Sequence, residues 1–183
     1  MELIKNLKEY TIFKNLFLAI LATIILAVSA KIKIPFYPIP MTMQTFVVLF
    51  IGLYFGWRLG IFTVGLYIAE GAIGLPVFAG TPEKGVGLVY LVGPTMGYLL
   101  GFLFAVFLSG FLKFGNNYIL NFFKLIFAVS TIYLSGIIWL AKFTGWEKVF
   151  LVGVQPFLLA ELFKIILLTI LIPKILNFRK TKF

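Results

Sequence analysis

Apolar stretches long enough to cross a lipid bilayer make up most of this chain, and charged residues lie mainly between them. Lys14 and Lys31, for example, enclose a run without a single charge, which would form a helix about 24 Å long. Of the 183 residues, 62% are hydrophobic and 12% are charged, whereas about a quarter of soluble-domain residues are charged. The sequence therefore predicts one all-α integral membrane domain over residues 1–183.

Six membrane spans are predicted, at residues 15–30, 43–55, 59–73, 95–112, 120–141 and 149–175. The second and third spans are short, and Gly56-Trp57-Arg58 is the predicted turn between them. Three prolines within residues 35–40 exclude a regular helix there. Irregular backbone at membrane depth is tolerated only inside protein or beside a cavity, so this proline-rich loop is expected to pack over a pocket.

The distribution of lysine and arginine predicts the orientation in the cell membrane. With six spans, the side of the termini carries ten basic residues, namely Lys5, Lys8, Lys14, Arg58, Lys113, Lys124, Lys174, Arg179, Lys180 and Lys182. The other side carries five, namely Lys31, Lys33, Lys84, Lys142 and Lys148. Both termini are therefore predicted to be cytoplasmic.

Several function classes are disfavoured by composition. The chain contains no cysteine, histidine or aspartate, so thiol catalysis and the usual zinc, haem and copper ligands are missing. No pair of carboxylates has catalytic spacing, and we expect no enzyme, no metal and no cofactor. The net charge of +10 is attributed to lysines flanking the spans rather than to nucleic-acid binding.

Two opposite charges interrupt the last apolar stretch. Glu161 and Lys164 are three residues apart and share a helix face. A charge at bilayer depth costs about 2.5–3.5 kcal/mol on insertion scales, and such residues usually mark substrate or ion sites. We predict a binding site here; the alternative is a structural ion pair that ties this helix to a neighbour.

Weaker polar features offer further candidates. Gln44 and Thr45 lie where the proline-rich loop meets a helix, and they could serve a ligand or only the helix terminus. The second outside loop carries Phe78 and Tyr90 among repeated glycines, as a binding wall or as a simple turn. Glu70, alone in the third apolar segment, is a weak candidate.

Small residues recur every fourth position in the first span, at Ala19, Thr23 and Ala27. This spacing lets another helix approach closely. The partner helix could belong to a second protein or to the same chain.

Four blocks together resemble the BioY family, the biotin-specific capture subunits (S components) of energy-coupling-factor transporters. They are IPFYPIPMTMQTF at 34–46, RLG at 58–60 with GAIGLPVFAG at 71–80, GPTMGY at 93–98, and PFLLAELFK at 156–164. The blocks run in order and cover most of the chain. Each block alone would be weak, whereas their combination is specific.

The resemblance implies six helices, a biotin site near the outer face, and partners comprising a transmembrane coupling protein and two ATPase subunits. It also gives the stripe of Ala19, Thr23 and Ala27 a docking role. The ureido ring of biotin would suit Glu161 as acceptor and Lys164 or Gln44 as donor, with Thr45 beside them. Its apolar part would suit four aromatic side chains, those of Phe36, Tyr37, Phe78 and Tyr90.

Two departures from the family pattern affect this expectation. The family usually has Pro-Gly-Asp where this chain has Leu159-Ala160-Glu161, so the carboxylate contact shifts by a methylene. Tyr90 occupies about the place where the family often has a basic residue, and Lys31, Lys33 or Lys84 could contact the biotin carboxylate instead. The alternatives are a capture subunit for another small vitamin, and a small membrane channel or enzyme.

Overall fold

The computed structural model describes residues 2–34, 39, 41–83 and 85–182, without the side chains of residues 2–11, 34 and 180–182. Its helices are α1 (Glu2–Lys31), α2 (Gln44–Ala72), α3 (Leu88–Leu91), α4 (Met96–Phe111), α5 (Tyr118–Thr144), α6 (Trp146–Gly153) and α7 (Leu158–Lys182), with a 3₁₀ turn at Gln155–Phe157. Strands β1 (Lys33–Ile34) and β2 (Met41–Thr42) form one short antiparallel pair. The predicted helical fold class is confirmed.

Four helical stretches are long and apolar enough to cross a membrane, at Ile12–Lys31, Gln44–Ala72, Tyr118–Thr144 and Trp146–Arg179. Helix α4 is apolar but shorter, at 16 residues. Many large apolar side chains on these helices are exposed, including Phe13, Phe62 and Ile138. An apolar outer surface of this kind is what a bundle surrounded by lipid requires.

Helix α2 contains a sharp reversal at Gly56, whose φ of 78° and ψ of 173° are not helical. Gln44 and Tyr67 are 23 residues apart, yet their side chains are hydrogen-bonded at 2.7 Å. A straight helix would separate them by about 35 Å. The limbs 44–55 and 57–72 therefore run antiparallel, and the turn expected at Gly56-Trp57-Arg58 lies at this reversal. Glycine suits it because a positive φ carries no steric cost there.

Close helix approach holds α4 between its neighbours. A Cβ atom on Gly101 would lie 2.5 Å from the Cα of Ile132 in α5, and one on Gly110 would lie 2.4 Å from the backbone nitrogen of Trp57. Without a hydrophobic force between helices in lipid, such small residues allow the backbone contacts that stabilise the bundle.

The two ends of the bundle differ in character. At one end Arg179 donates to the carbonyl of Leu53 at 3.2 Å, and Ile12 lies beside Arg58. The part of α1 around Ile12 and the end of α7 therefore meet the same turn. At the opposite end lie both loops and the start of α7, and the functional candidates gather there.

Candidate functional site

The buried ion pair on α7 is the centre of the site. Pro156 lies in the 3₁₀ turn before α7, where a missing backbone N–H is tolerated. Glu161 follows in the first turn, where the helix dipole favours negative charge. Its Oε1 lies 2.7 Å from Nζ of Lys164, and the two residues are 6% and 4% exposed.

The ammonium group of Lys164 is fully used within the chain. It donates to Oε1 of Glu161 at 2.7 Å, to Oγ1 of Thr45 at 3.0 Å and to the carbonyl of Thr42 at 2.6 Å. A lysine has three N–H donors. Lys164 therefore ties α7 to the start of α2 and fixes the carboxylate.

The carboxylate of Glu161 keeps one oxygen available. Thr45 donates to Oε1 at 2.8 Å, while Oε2 is buried and receives no hydrogen bond from the described residues. Tyr133 lies close enough to interact with this carboxylate. An unpaired buried acceptor is costly, so Oε2 is the atom at which an incoming N–H donor would gain most.

Glu161 lines a cavity of about 60 Å³ between the helices and the second loop. Much of its wall is apolar, formed by Ile39, Met41, Leu99, Phe102, Ile132 and Phe157. Cavities with apolar walls and a few placed polar groups are typical small-molecule sites, although those sites usually have about 300–1,000 Å³. A ligand of that size would need one wall of this cavity to move outward.

Gln44 contributes to the cavity at the start of α2. Its backbone N–H donates to Oγ1 of Thr42 at 3.3 Å, so this hydroxyl bonds the first residue of α2. Its side-chain Nε2 donates to the hydroxyl of Tyr67 at 2.7 Å, and Tyr67 donates in turn to the carbonyl of Val77 at 2.9 Å. Gln44 thus links both limbs of α2 to the second loop.

Phe78 and Tyr90 form one aromatic wall of the cavity. Their rings stack with centroids 4.8 Å apart, and Phe78 meets Tyr67 edge-on at 5.4 Å. The hydroxyl of Tyr90 accepts a hydrogen bond from the amide of Gly80 at 3.3 Å. Burial raises the pKa of Tyr90, so this hydroxyl is neutral at physiological pH.

Comparison with known proteins identifies the chain. The family model described as the BioY family matches residues 4–181. The chain belongs to the BioY family.

Two relatives are named "Probable biotin transporter BioY". The one from Pyrococcus horikoshii is 36% identical over 82% of this chain and 89% of the relative. The one from Lysinibacillus sphaericus is 33% identical over 85% and 82%. The fold is similar to the crystal structure of an "S-component for biotin from an ECF-type ABC transporter", with a TM-score of 0.77, 24% identity, and coverage of 92% and 93% of the two chains.

Six of the eight substrate-binding residues expected from the BioY resemblance fall at one end of the bundle. Glu161, Gln44, Thr45, Phe78 and Tyr90 line the same cavity, and Lys164 lies behind it, bonded to Glu161. Phe36 and Tyr37 lie outside the described residues. Their contact with biotin stays a prediction.

The small-residue stripe of α1 is mostly buried within the chain. Ala19 is 0% and Thr23 is 1% exposed, while Ala27 is intermediate. Thr23 also donates to Oε1 of Glu70 at 2.9 Å. This arrangement matches the within-chain packing alternative for Ala19 and Thr23, and the docking role stays a prediction.

Sequence reasoning missed several hydroxyl groups that the BioY fold brings to this end. Tyr133 from α5 and Thr95 and Tyr98 from the start of α4 line the cavity, and Tyr67 supports Gln44. A tyrosine within an apolar helix could have indicated these residues, because a buried hydroxyl normally has a polar partner. The sequence does not show which helix supplies that partner.

Proposed function

We propose that this chain captures biotin as the substrate-binding subunit of an ATP-driven energy-coupling-factor transporter in the cell membrane. Membership of the BioY family and the names of its relatives support biotin as the ligand. The likeness to an S component supports the same fold. The observation that carries the proposal is the buried, unpaired Oε2 of Glu161 beside a largely apolar cavity.

Biotin matches the chemistry of this cavity. Its ureido ring presents two N–H donors and one carbonyl, and its fused sulfur ring and acyl chain are apolar. One ureido N–H would donate to Oε2 of Glu161, which is otherwise without a hydrogen bond from the described residues. A neutral N–H donor suits a carboxylate whose charge Lys164 already balances.

The ureido carbonyl needs a donor of its own. Lys164 spends its three N–H groups on Glu161, Thr45 and Thr42, whereas the amide of Gln44 uses only one of its two N–H donors on Tyr67. We therefore assign the ureido carbonyl to the second N–H of Gln44 or to the hydroxyl of Tyr133, since both side chains line the cavity, and keep Lys164 as the residue that holds the carboxylate. Phe78 and Tyr90 would enclose the apolar rings.

We also propose six crossings with cytoplasmic termini. The antiparallel limbs of α2 on either side of Gly56 support two crossings within that helix. Both are short, as is α4, and short spans are accommodated by local thinning or by snorkelling side chains. The excess of lysine and arginine at the end of Arg58 and Arg179 supports a cytoplasmic location for that end. The cavity would then open outward.

Uptake requires energy that this chain is not expected to supply. We propose that a transmembrane coupling protein and two ATPase subunits provide it, and that Ala19, Thr23 and Ala27 lie near their docking surface. The role of this chain would be transport rather than catalysis.

Titration of the purified protein in lipid nanodiscs with biotin tests the proposal. We expect saturable binding with a dissociation constant of roughly nanomolar order, about −12 kcal/mol, and no displacement by other water-soluble vitamins. Saturable binding of a different vitamin without binding of biotin would favour the alternative capture subunit. Absence of binding by every vitamin would contradict a capture role.

A further inference from the structure

Two lysines, one at the end of α1 and one in β1, hold the loop that carries the aromatic wall. Nζ of Lys31, the last residue of α1, donates to the carbonyl of Phe78 at 3.0 Å, to the carbonyl of Thr81 at 2.9 Å and to Oγ1 of Thr81 at 3.2 Å. Lys33 donates to the carbonyl of Ala79 at 3.1 Å and to the exposed Glu83 at 3.4 Å. All three N–H donors of Lys31 are thus directed at one short segment.

The segment held by these lysines is a part of the cavity wall that lies outside the long helices. Phe78 and Ala79 line the cavity, yet residues 74–83 and 85–87 form no long helix or strand of their own. Apart from Ile39, Met41 and Thr42 of the first loop, most of the other lining residues belong to α2, α4, α5 and α7, whose backbones are bonded within helices. Since the cavity holds about 60 Å³, well below an ordinary ligand site, a biotin-sized molecule requires a wall to open.

We propose that Lys31 is a positioning residue that holds the wall formed by Phe78–Thr81 closed, so that breaking its contacts gates ligand entry and exit. This inference rests on the proposed function. Lys31 binds the loop from outside and does not line the cavity. It would therefore control the rates of binding and release without contacting the ligand.

A gate and a direct contact predict different kinetics. Loss of a gate lowers the barrier in both directions, so the association and dissociation rates rise together and the dissociation constant changes little. Loss of a contact to the biotin carboxylate raises the dissociation rate alone. An ion pair between Lys31 and the carboxylate would form with biotin but not with its methyl ester, which carries no charge.

The test compares Lys31→Met with wild type in nanodiscs, by measuring rates of labelled biotin binding and exchange. We expect both rates to rise about three- to tenfold, because three hydrogen bonds from a partly hydrated ammonium are lost. Glu83→Gln is the matched control: it removes the ion pair with Lys33 but no contact to the wall carbonyls, and both rates should equal those of wild type. Unchanged rates in Lys31→Met, or a faster dissociation confined to biotin and absent for its methyl ester, would overturn the proposal.

A second variant and a ligand-free measurement keep the test independent of biotin. Thr81→Val preserves the shape of the side chain but removes one acceptor of Lys31 at 3.2 Å and the bond from the Thr81 hydroxyl to the carbonyl of Phe78 at 2.8 Å. It should also raise both rates, because both bonds hold the same wall segment. Without ligand, amide hydrogen exchange in residues 78–83 should be faster in Lys31→Met than in wild type. If wild type does not bind biotin, the proposed function is wrong. If amide hydrogen exchange in residues 78–83 is equally fast in Lys31→Met and wild type, the proposed gate is wrong.

Discussion

Two glutamates within apolar helices have opposite surroundings. Glu161 is buried, paired with Lys164 at 2.7 Å, bonded to Thr45, and turned toward a cavity. Glu70 is half-buried, has a single described hydrogen-bond partner in Thr23, and faces a groove beside α1. The same side chain therefore borders a largely apolar cavity in one region and makes a helix contact in the other.

The comparison indicates what distinguishes a candidate ligand-binding carboxylate from a structural one. A buried ion pair is weak evidence for stability, since its desolvation cost can exceed its attraction. The pair of Glu161 and Lys164 is also incompletely satisfied at Oε2, which a purely structural pair would avoid. The desolvation cost of Glu70 is smaller, because its carboxylate accepts a hydrogen bond from the hydroxyl of Thr23 and is partly exposed.

The largest effect is expected for Lys164→Met. Removing the cation leaves Glu161 buried without a counter-charge, which should cost about 3–5 kcal/mol of folding stability and abolish tight biotin binding. Unfolding by heat or denaturing detergent measures the first effect, and titration measures the second. The double variant Glu161→Leu with Lys164→Met is the control: stability should largely recover while binding stays absent. A single variant as stable as wild type would contradict this account of the pair.

Glu161→Ala should weaken biotin binding by at least about 2 kcal/mol, as expected for loss of a buried charged partner. Isothermal titration at constant lipid composition gives the difference directly. Glu161→Gln retains the size of the side chain and isolates the contribution of the charge. Wild-type affinity in both variants would remove Glu161 from the site.

The aromatic wall can be disturbed from behind through Gly71. A Cβ atom at this position would lie 2.0 Å from Cζ of Phe78, so Gly71→Ala must shift the Phe78 ring. We expect folding stability to fall by about 1–3 kcal/mol, typical of overpacking, and biotin affinity to fall as well because the shifted ring lines the cavity. Thermal unfolding and titration measure the two effects. Gly65→Ala is the matched control in the same limb, because no neighbouring atom lies within 4 Å of its added Cβ. Equal biotin affinities for Gly71→Ala and Gly65→Ala would contradict a contact between Phe78 and biotin.

The smallest effect is expected for Glu70→Gln. The amide oxygen can still accept the hydrogen bond from Thr23, so the stability change should be below about 1 kcal/mol and biotin affinity should match that of wild type. Thermal unfolding and titration of this variant beside Glu161→Gln measure the contrast under identical conditions. If Glu70→Gln lost as much biotin affinity as Glu161→Gln, the proposed difference in role between Glu70 and Glu161 would be wrong.

The sequence predicted the helical membrane fold and the charged centre of the site for physical reasons. Long uncharged stretches leave few alternatives to membrane helices, and two charges at the depth of Glu161 and Lys164 require a partner or a cavity. The reversal at Gly56 was also predictable, because a glycine at the junction of two short apolar segments favours a turn.

The remaining features depend on tertiary contacts that no local pattern encodes. Gln44 was expected to donate to a ligand, which stays a prediction, and no local pattern indicated that the reversal of α2 also brings Tyr67 to its amide. The hydroxyl of Tyr133 reaches Glu161 only because α5 packs beside α7 near the cavity. Lys31 was named as a possible partner for the biotin carboxylate, and no local pattern indicated that its donors contact the second loop.

A structure of the protein with biotin tests the central claim most directly. The account predicts a ureido nitrogen within about 2.7–3.2 Å of Oε2 of Glu161, with Oε1 still bonded to Lys164 and Thr45. A complex in which biotin lies elsewhere, or in which Oε2 turns to a neighbouring helix, would contradict it.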